Sequence, residues 1–172
     1  MAEATQVSVI TTKDSLVVSR SIETSAPPNT VFTLLANPTR HLEFDGSGSV
    51  LGVVEPVDML VLGSRFEMRM KRGLPYKITN LVVEFEPDRL IAWRHLGRHR
   101  WRYELEALPS GGTRIIETFD GSTSVVPWAL HLMGAARTNA AAIEATLPRL
   151  AAASQAAALS PDSPGASPRS TQ

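Results

Sequence analysis

Apolar and polar residues alternate along most of the chain between residues 50 and 120, and short turn-forming segments separate the alternating runs. Alternation with a period of two is typical of half-buried strands, so the pattern predicts an antiparallel meander. Its strands are predicted at Val50 to Glu55, Ser64 to Lys71, Tyr76 to Glu86, Leu90 to Leu96, His99 to Leu108 and Thr113 to Asp120. The turns between them are RGLP at 72–75, EPDR at 86–89, LGR at 96–98 and PSGG at 109–112. An earlier run, Ser15 to Thr24, predicts one further strand, which makes seven.

Helical signals occur in two places outside these strands. In SAPPNTVFTLLANP, residues 25–38, two prolines suit the first turn of a short helix, and Asn37 with Pro38 ends it. Asn37 can then cap a second short turn through Leu42, before GSGS at 46–49 interrupts the chain. The alanine-rich segment from Pro127 to Leu159 predicts a long C-terminal helix, which Pro148 is expected to kink or end.

The alternation also assigns faces to the strands. Phe66, Met68 and Met70 share one face of their strand, and the charged residues between them share the other. In the other strands, the residues predicted to share a face are His99 with Trp101, Tyr103 and Leu105; Trp93 with Ile91 and His95; and Leu81 with Val83 and Phe85. The last strand is ambiguous, since Ile115, Glu117 and Phe119 or Ile116, Thr118 and Asp120 are equally plausible inner sets.

An apolar sheet face needs a cover, and the C-terminal helix is the element long enough to provide it. The sheet side carries methionine and aromatic residues, whereas the helix contributes many small ones, an arrangement that can leave a void. Periodicity alone does not distinguish such a void from a plain core, and a methionine and aromatic stripe is more often core.

Composition narrows the possible functions. Lys plus Arg and Asp plus Glu number 17 each, so no overall charge recruits nucleic acid or an anionic membrane, and the lack of cysteine excludes disulfides and thiolate sites. Neither a membrane span nor a leader pattern is recognisable, and we expect a cytoplasmic protein. We expect a flexible lead-in at residues 1–13, one domain at 14–159 and a disordered tail at 160–172, which is rich in serine and proline.

Other chemistries find little support in the residue pattern. The basic run RHLGRHRWR at 94–102 is not expected to bind nucleic acid, because Trp101 and Arg102 point to opposite sides of a strand. No metal site is expected, since His95 and His99 flank a turn with no carboxylate at ligand spacing. GSGS lacks the helix and lysine of a phosphate-binding loop, and we expect no cofactor.

Several stretches together resemble the START-like SRPBCC superfamily, in particular its polyketide cyclase/dehydrase and lipid-transport family of small bacterial proteins. They are SIETSAPPNTVFTLLANPTRHLEFDGSGSV at 21–50, GSRFEMRM at 63–70, VVEFEPDRLIAWR at 82–94, WRYELEALPSGGTRIIETFD at 101–120 and TLPRL at 146–150. The resemblance implies an α+β helix-grip fold, in which a curved seven-stranded antiparallel sheet wraps around the long C-terminal helix, with two short helices between strands 1 and 2.

The resemblance also implies which residues line an internal cavity. The ligand-binding residues expected on this basis are Phe32, Leu35, His41, Phe44, Phe66, Met68, Met70, Trp93, His99, Trp101, Tyr103, Phe119, Trp128 and Leu132. The expected function is to bind or carry an apolar small molecule, lipid-like, polyketide or aromatic.

Two alternatives remain open at this point. One is a polyketide cyclase or dehydratase that uses acid and base groups at the cavity rim. The candidates for this chemistry are His41, Asp45, His99 and Tyr103, although Asp45 can instead satisfy the amides of the following turn. The other alternative is a regulatory module that interacts with a protein partner and holds no ligand.

Overall fold

The computed structural model describes residues 6–160, which form one antiparallel sheet and a set of helices. The strands are β1 (Ser8–Ile10), β2 (Val17–Thr24), β3 (Val50–Val53), β4 (Arg65–Arg72), β5 (Leu74–Glu86), β6 (Leu90–Arg94), β7 (Arg100–Ala107) and β8 (Thr113–Asp120). The helices are α1 (Pro28–Leu35), α2 (His41–Phe44), α3 (Pro127–Leu132) and α4 (Ala135–Leu159). The predicted tail lies, apart from Ser160, outside the described residues, as do the first five residues of the predicted lead-in.

The sheet has eight strands in the order β1-β2-β8-β7-β6-β5-β4-β3, and every neighbouring pair is antiparallel. The meander from β3 to β8 follows the chain, and β2 then pairs with β8, which brings the first predicted strand beside the last. Together with α4, this sheet is the predicted α+β helix-grip fold. The sheet has eight strands instead of the predicted seven, because Ser8–Ile10, which lies in the predicted lead-in, forms a strand that pairs with β2.

The chain between β2 and β3 forms the two short helices that were predicted. Pro28 opens α1, and the Asn37 side chain accepts a hydrogen bond of 3.1 Å from the Thr39 amide. Residues 38–40 form a single 3-10 turn, and α2 follows directly from His41. Asn37 therefore starts the second helical segment, as expected for an N-cap residue.

The predicted long C-terminal helix is divided into two. Gly134 has a φ of 62°, in the left-handed region where glycine is favoured, and it separates α3 from α4. Pro148 does not end α4, which remains helical to Leu159. This proline is exposed, whereas Leu147 and Leu150 beside it are fully buried, so packing holds the helix together across the missing hydrogen bond.

The hydrophobic core lies between the sheet, α1 and the part of α4 from Ile143 onward. In β5 a bulge between Val82 and Glu84 changes which side chains point inward. Before the bulge Val82 is buried and its neighbour Leu81 points outward. After the bulge Phe85 packs against the core and Glu84 points outward to the arginines of β7. The predicted shared face of Leu81, Val83 and Phe85 is therefore wrong. No helix within residues 6–160 is long and apolar enough to cross a lipid bilayer.

Candidate functional site

A cavity of about 760 Å³ lies between the concave face of the sheet and the N-terminal part of α4, from Ala135 to Thr146. The strands contribute aromatic rings, methionines and a few polar groups, and α2 contributes His41 and Phe44. The helix side is lined by small or polar residues, namely Ala135, Thr138, Asn139, Ala141, Ala142 and Thr146. Because these side chains are short, α4 covers the sheet here without filling the space beneath it. A volume of this size lies within the range of small-molecule sites.

The structure places most of the expected ligand-binding residues in the cavity wall. These are His41, Phe44, Phe66, Met68, Met70, Trp93, His99, Trp101, Tyr103 and Phe119. They come from α2 and from strands β4, β6, β7 and β8, whose inward positions alternate as the sequence pattern indicates.

The remaining expected residues lie elsewhere. Phe32 and Leu35 are buried in the core under α1, where the Phe32 ring packs edge-on against Phe85 with centroids 5.4 Å apart. Trp128 and Leu132 are 69% and 82% exposed. They belong to α3, which the left-handed Gly134 separates from α4. Because α3 does not continue the helical periodicity of α4, these two side chains face outward rather than onto the sheet.

Aromatic rings form the innermost wall of the cavity. The His41 and Trp93 rings are stacked with centroids 5.2 Å apart, and the Tyr103 ring lies 5.5 Å from Trp93. Phe66 meets both His41 and Trp93 edge-on. These contacts fix the orientation of each ring, so the wall presents a defined apolar surface to a ligand.

Glu117 contributes the most unusual polar group in the cavity. Its side chain is 1% exposed, and its Oε1 accepts a hydrogen bond of 2.8 Å from the Tyr103 hydroxyl on the neighbouring strand. Oε2 is buried and has no hydrogen-bond partner among the described residues. The inner set of β8 is therefore Ile115, Glu117 and Phe119, which the alternation left undecided. A glutamate opposite Tyr103 in an otherwise apolar set was the available sequence signal.

Burial determines the protonation of this pair. Removal from water, with a smaller contribution from Asp45, raises the pKa of Glu117 to about 8, against the lowering effect of the Tyr103 hydrogen bond. Burial also raises the pKa of Tyr103 well above its usual value, and the Glu117 carboxyl adds to this effect. At neutral pH both groups are therefore mainly uncharged and able to donate a proton in a hydrogen bond.

His41 is held by a backbone contact rather than exposed on a helix surface. Its Nε2 donates a hydrogen bond of 2.8 Å to the Leu35 carbonyl, and its ring is buried among aromatic neighbours. Burial lowers the pKa of His41 to about 4, more than the Leu35 hydrogen bond raises it. At neutral pH the imidazole is uncharged, with Nε2 committed to the backbone.

Asp45 lines the cavity and at the same time organises the turn that follows it. Its Oδ1 accepts hydrogen bonds from the amide and hydroxyl of Ser47 at 3.0 and 2.7 Å, and its Oδ2 accepts one from the Val50 amide at 3.0 Å. The adjoining Gly46 lies against α4, where an added Cβ would come within 2.3 Å of the Ala145 backbone. These contacts match the turn-stabilising alternative considered for Asp45.

His95 and His99 form a hydrogen-bonded pair at one edge of the cavity. The Gly97 amide donates to His95 Nδ1 at 3.0 Å, so His95 Nε2 carries the proton that it shares with His99 Nε2. Burial lowers the pKa of both rings, to about 4 for His99, where the neighbouring His95 adds to the effect. His99 is thus a partly buried histidine satisfied on one side by its neighbour.

The outer face of β7 is lined by ion pairs. Glu84 contacts Arg100 at 2.8 Å and Arg102 at 3.0 Å, and Arg102 also pairs with Glu104. These arginines point away from Trp101 and Tyr103, which line the cavity on the other face. Within residues 6–160 no three histidine, aspartate or glutamate side chains are grouped to hold a metal ion.

Comparison with known proteins identifies relatives across most of the chain. The family described as polyketide cyclase/dehydrase and lipid transport matches residues 15–155. An uncharacterized protein of Mycobacterium tuberculosis is 45% identical over 138 residues, which are 77% of this chain and 62% of the relative. The chain thus spans less than two thirds of that relative's length.

Solved structures share the fold at lower sequence identity. A crystal structure of a Rhodobacter sphaeroides protein superimposes with a TM-score of 0.66 at 18% identity, covering 90% of this chain and all of the other. A crystal structure of a Mycobacterium smegmatis protein gives a TM-score of 0.58 at 19% identity, covering 84% of this chain and 97% of the other. At these identities the similarity shows a common fold.

Proposed function

The chain belongs to the polyketide cyclase/dehydrase and lipid-transport family, within the START-like SRPBCC superfamily, and we propose that it binds and carries an apolar small molecule in its internal cavity. The observation that carries this proposal is the cavity of about 760 Å³ beneath the N-terminal part of α4. A void of that size is costly in a small domain unless a ligand or ordered water occupies it.

The composition of the wall supports an apolar ligand. Aromatic rings and the methionines Met68 and Met70 line the sheet side, and thioether side chains adapt to irregular shapes. The polar groups are few and lie within this apolar wall, which is the usual arrangement of a site that binds by burial and orients by hydrogen bonds. The opening is bordered by more exposed residues, including Met133 and Tyr76.

Ligand binding is tested by screening for stabilisation. The protein is mixed with lipids, polyketides and aromatic metabolites, and complexes are sought by native mass spectrometry and by thermal unfolding. A ligand present at roughly 100-fold its Kd is expected to raise the Tm by about 5–10 °C, because it binds only the folded state. The absence of any stabilising compound, together with a crystal structure whose cavity is filled by side chains, would contradict the proposal.

A matched pair of variants ties the effect to the cavity. Ala142→Phe places a ring in the lining of α4, whereas Ala152→Phe places the same ring on the exposed side of the same helix. The first variant is expected to abolish ligand binding, and the second to retain it with an unchanged Kd. Retention of binding in Ala142→Phe would locate the ligand outside the cavity.

A second candidate function, an enzyme of cyclase or dehydratase type, is favoured by the Glu117–Tyr103 contact. A carboxyl whose pKa of about 8 lies near working pH, hydrogen-bonded to a tyrosine inside a cavity, suits general acid–base chemistry at an enolisable carbon. Glu117 joins the acid and base candidates named from the sequence, His41, Asp45, His99 and Tyr103.

The enzymatic candidate is tested by turnover of a ligand identified in the screen. Glu117→Gln is expected to lower kcat by about 10²–10⁴-fold, the usual contribution of one acid–base group. The parallel variants are His41→Ala, Asp45→Asn, His99→Ala and Tyr103→Phe. Turnover that all five substitutions leave unchanged would exclude this chemistry, and no turnover of any bound ligand would leave carrying as the function.

A further inference from the structure

We propose that Glu117 selects the ligand by donating a hydrogen bond from an uncharged carboxyl, so that the cavity takes an uncharged apolar molecule that bears an acceptor oxygen, such as a ketone, ester or ether. This inference rests on the proposed ligand-binding function and names the chemical class of the ligand. The contact it assigns is between Glu117 Oε2 and that oxygen.

The geometry leaves one carboxyl oxygen available. Glu117 Oε1 is occupied by the Tyr103 hydroxyl at 2.8 Å, while Oε2 is buried without a partner among the described residues. Glu117 and Tyr103 both line the cavity. A buried polar atom without a partner is unfavourable, so a ligand that satisfies it gains affinity over one that does not.

The surroundings of Glu117 supply no compensating positive charge. Its partner on β7 is the neutral Tyr103. Its partner on β2 is Arg20, whose guanidinium turns to Glu144 on α4 at 2.8 Å.

Three basic side chains line the cavity without neutralising Glu117. Arg72 at the end of β4 is exposed to solvent, and burial lowers the pKa of His95 and His99, to about 4 for His99. Within the described residues none of the three forms an ion pair or a hydrogen bond with Glu117.

The remaining elements that face the cavity do not supply a positive charge either. The segment after α2 brings Asp45, which is acidic, and α2 brings His41, whose pKa burial lowers to about 4. The α4 residues in the lining carry no ionisable group. With no cation to pair with, the carboxyl keeps its proton, in agreement with a pKa raised by burial to about 8.

An uncharged carboxyl group carries one proton, so one of its oxygens donates a hydrogen bond and the other accepts one. Because the Tyr103 hydroxyl donates to Oε1, the proton resides on Oε2 and points to the position where no protein acceptor is found. A ligand carbonyl or ether oxygen satisfies that donor. An anionic ligand would meet Asp45, and a cationic ligand would pair with Glu117 only after that carboxyl had lost its proton.

Three probes with one skeleton distinguish these cases: acetylnaphthalene with an acceptor oxygen, ethylnaphthalene without one, and aminoethylnaphthalene with a positive charge. Affinities are measured by calorimetry on the full chain from pH 6 to pH 9. We expect the ketone to bind about 10-fold more tightly than the hydrocarbon, a typical difference for one hydrogen bond to a buried group. Ketone affinity is expected to be constant at low pH and to weaken above about pH 8, whereas hydrocarbon affinity changes little.

Substitutions at Glu117 and Tyr103 show which of the two residues donates the hydrogen bond to the ketone. Glu117→Gln keeps an N–H donor and the side-chain shape, so the preference for the ketone remains but its pH dependence disappears. Glu117→Leu removes the donor, so the ketone and hydrocarbon bind equally. Tyr103→Phe keeps the Glu117 proton, and the preference for the ketone remains. Circular dichroism and hydrocarbon binding establish that each variant is folded with an open cavity.

The outcomes separate this inference from the proposed function. Equal binding of ketone and hydrocarbon by the unsubstituted protein overturns the inference and leaves ligand binding intact. Tightest binding of the amine, strengthening as pH rises, also overturns it, since Glu117 would then act as an anion. Loss of ketone preference in Tyr103→Phe but not in Glu117→Leu assigns the contact to the tyrosine instead. Binding of none of the probes overturns the inference, whereas the proposed function is overturned only if the wider screen for stabilising compounds is negative as well.

Discussion

From Ile143 onward, α4 presents large apolar side chains to the sheet and α1, whereas from Ala135 to Ala142 the same helix presents small or polar ones over the cavity. Ile143, Leu147 and Leu150 are fully buried and belong to the hydrophobic core. No residue of α4 before Ile143 is fully buried. Both halves are rich in alanine, so a few large side chains at helical spacing separate a packed region from an open one.

The difference indicates that stability and binding are carried by different turns of one helix. The C-terminal half anchors α4 to β2 and α1, and this anchorage allows the N-terminal half to span the sheet without filling the space below. Substitutions in the two halves should therefore have opposite consequences, large for unfolding in one and large for ligand binding in the other.

Leu147→Ala, in the C-terminal half of α4, is expected to have the largest effect on the free energy of unfolding. Removing a fully buried leucine should lower the free energy of unfolding by about 2–5 kcal/mol, from lost burial and the cavity left behind. Urea denaturation measures it, and Ala142→Gly, at a partly exposed position of the other half, controls for helix propensity at about 1 kcal/mol. Equal losses in the two variants would contradict the division of α4.

The next largest effect on the free energy of unfolding is expected from the titration of Glu117, which lines the cavity below the N-terminal half of α4. The pKa of Glu117 is about 8 when folded and 4.5 in the reference state, so between these values the folded protein holds the extra proton and loses stability as pH rises. His41 and His99, with folded pKa values near 4, act in the opposite sense, since their contribution is lost as pH falls below 6.5.

The contributions of the histidines, including His95, whose pKa burial also lowers, fade above pH 6.5. Comparison with a Glu117 variant, in which the same histidines titrate, removes what remains of them. Between about pH 6.5 and pH 8 we expect the free energy of unfolding to fall by on the order of 2 kcal/mol because of Glu117. Glu117→Gln should remove most of this slope in denaturation series at several pH values. An identical slope in the variant would show that Glu117 is already ionised in the folded protein.

A smaller change in the free energy of unfolding is expected from breaking the ion pair that lies where the two halves of α4 meet. Arg20 on β2 contacts Glu144 at 2.8 Å, and the glutamate is about half exposed. Glu144→Gln should lower the free energy of unfolding by less than about 1 kcal/mol, as is usual for exposed ion pairs. A loss of several kcal/mol would mean that this pair, rather than the buried leucines, holds α4 on the sheet.

The smallest effect on stability is expected in the cavity wall of α4 itself. Thr138→Ala, at an exposed position that lines the cavity, should change the free energy of unfolding by no more than about 0.5 kcal/mol. Thermal and urea unfolding measure this change. A loss as large as that of Leu147→Ala would show that the N-terminal half is packed rather than open.

The sequence predicts those parts of the fold whose residue pattern follows one period without interruption. Phe66, Met68 and Met70 alternate strictly with charged residues, and all three line the cavity. In β5 the bulge after Val82 adds a residue that alternation does not show, so Leu81 before it and Phe85 after it do not share a face as predicted.

At the site, the limits of the sequence are of a different kind. Trp128 and Leu132 fit a continuous helix, but the left-handed Gly134 turns their segment away from the sheet. Alternation left the inner set of β8, which contains Glu117, undecided. Burying a carboxyl without a hydrogen-bond partner is unfavourable, and only the structure shows that Tyr103 provides one. Ser8–Ile10 is too short for its alternation to stand out.

The central claim, that the cavity under the open half of α4 holds a small molecule, is tested most directly by tryptophan fluorescence. The chain has three tryptophans; Trp93 and Trp101 line the cavity and Trp128 is exposed outside it. In Trp128→Phe, titration with acetylnaphthalene is predicted to change the remaining emission saturably, and adding Ala142→Phe is predicted to abolish that change while Ala152→Phe preserves it. No saturable change in Trp128→Phe, or the same change after Ala142→Phe is added, would contradict the claim.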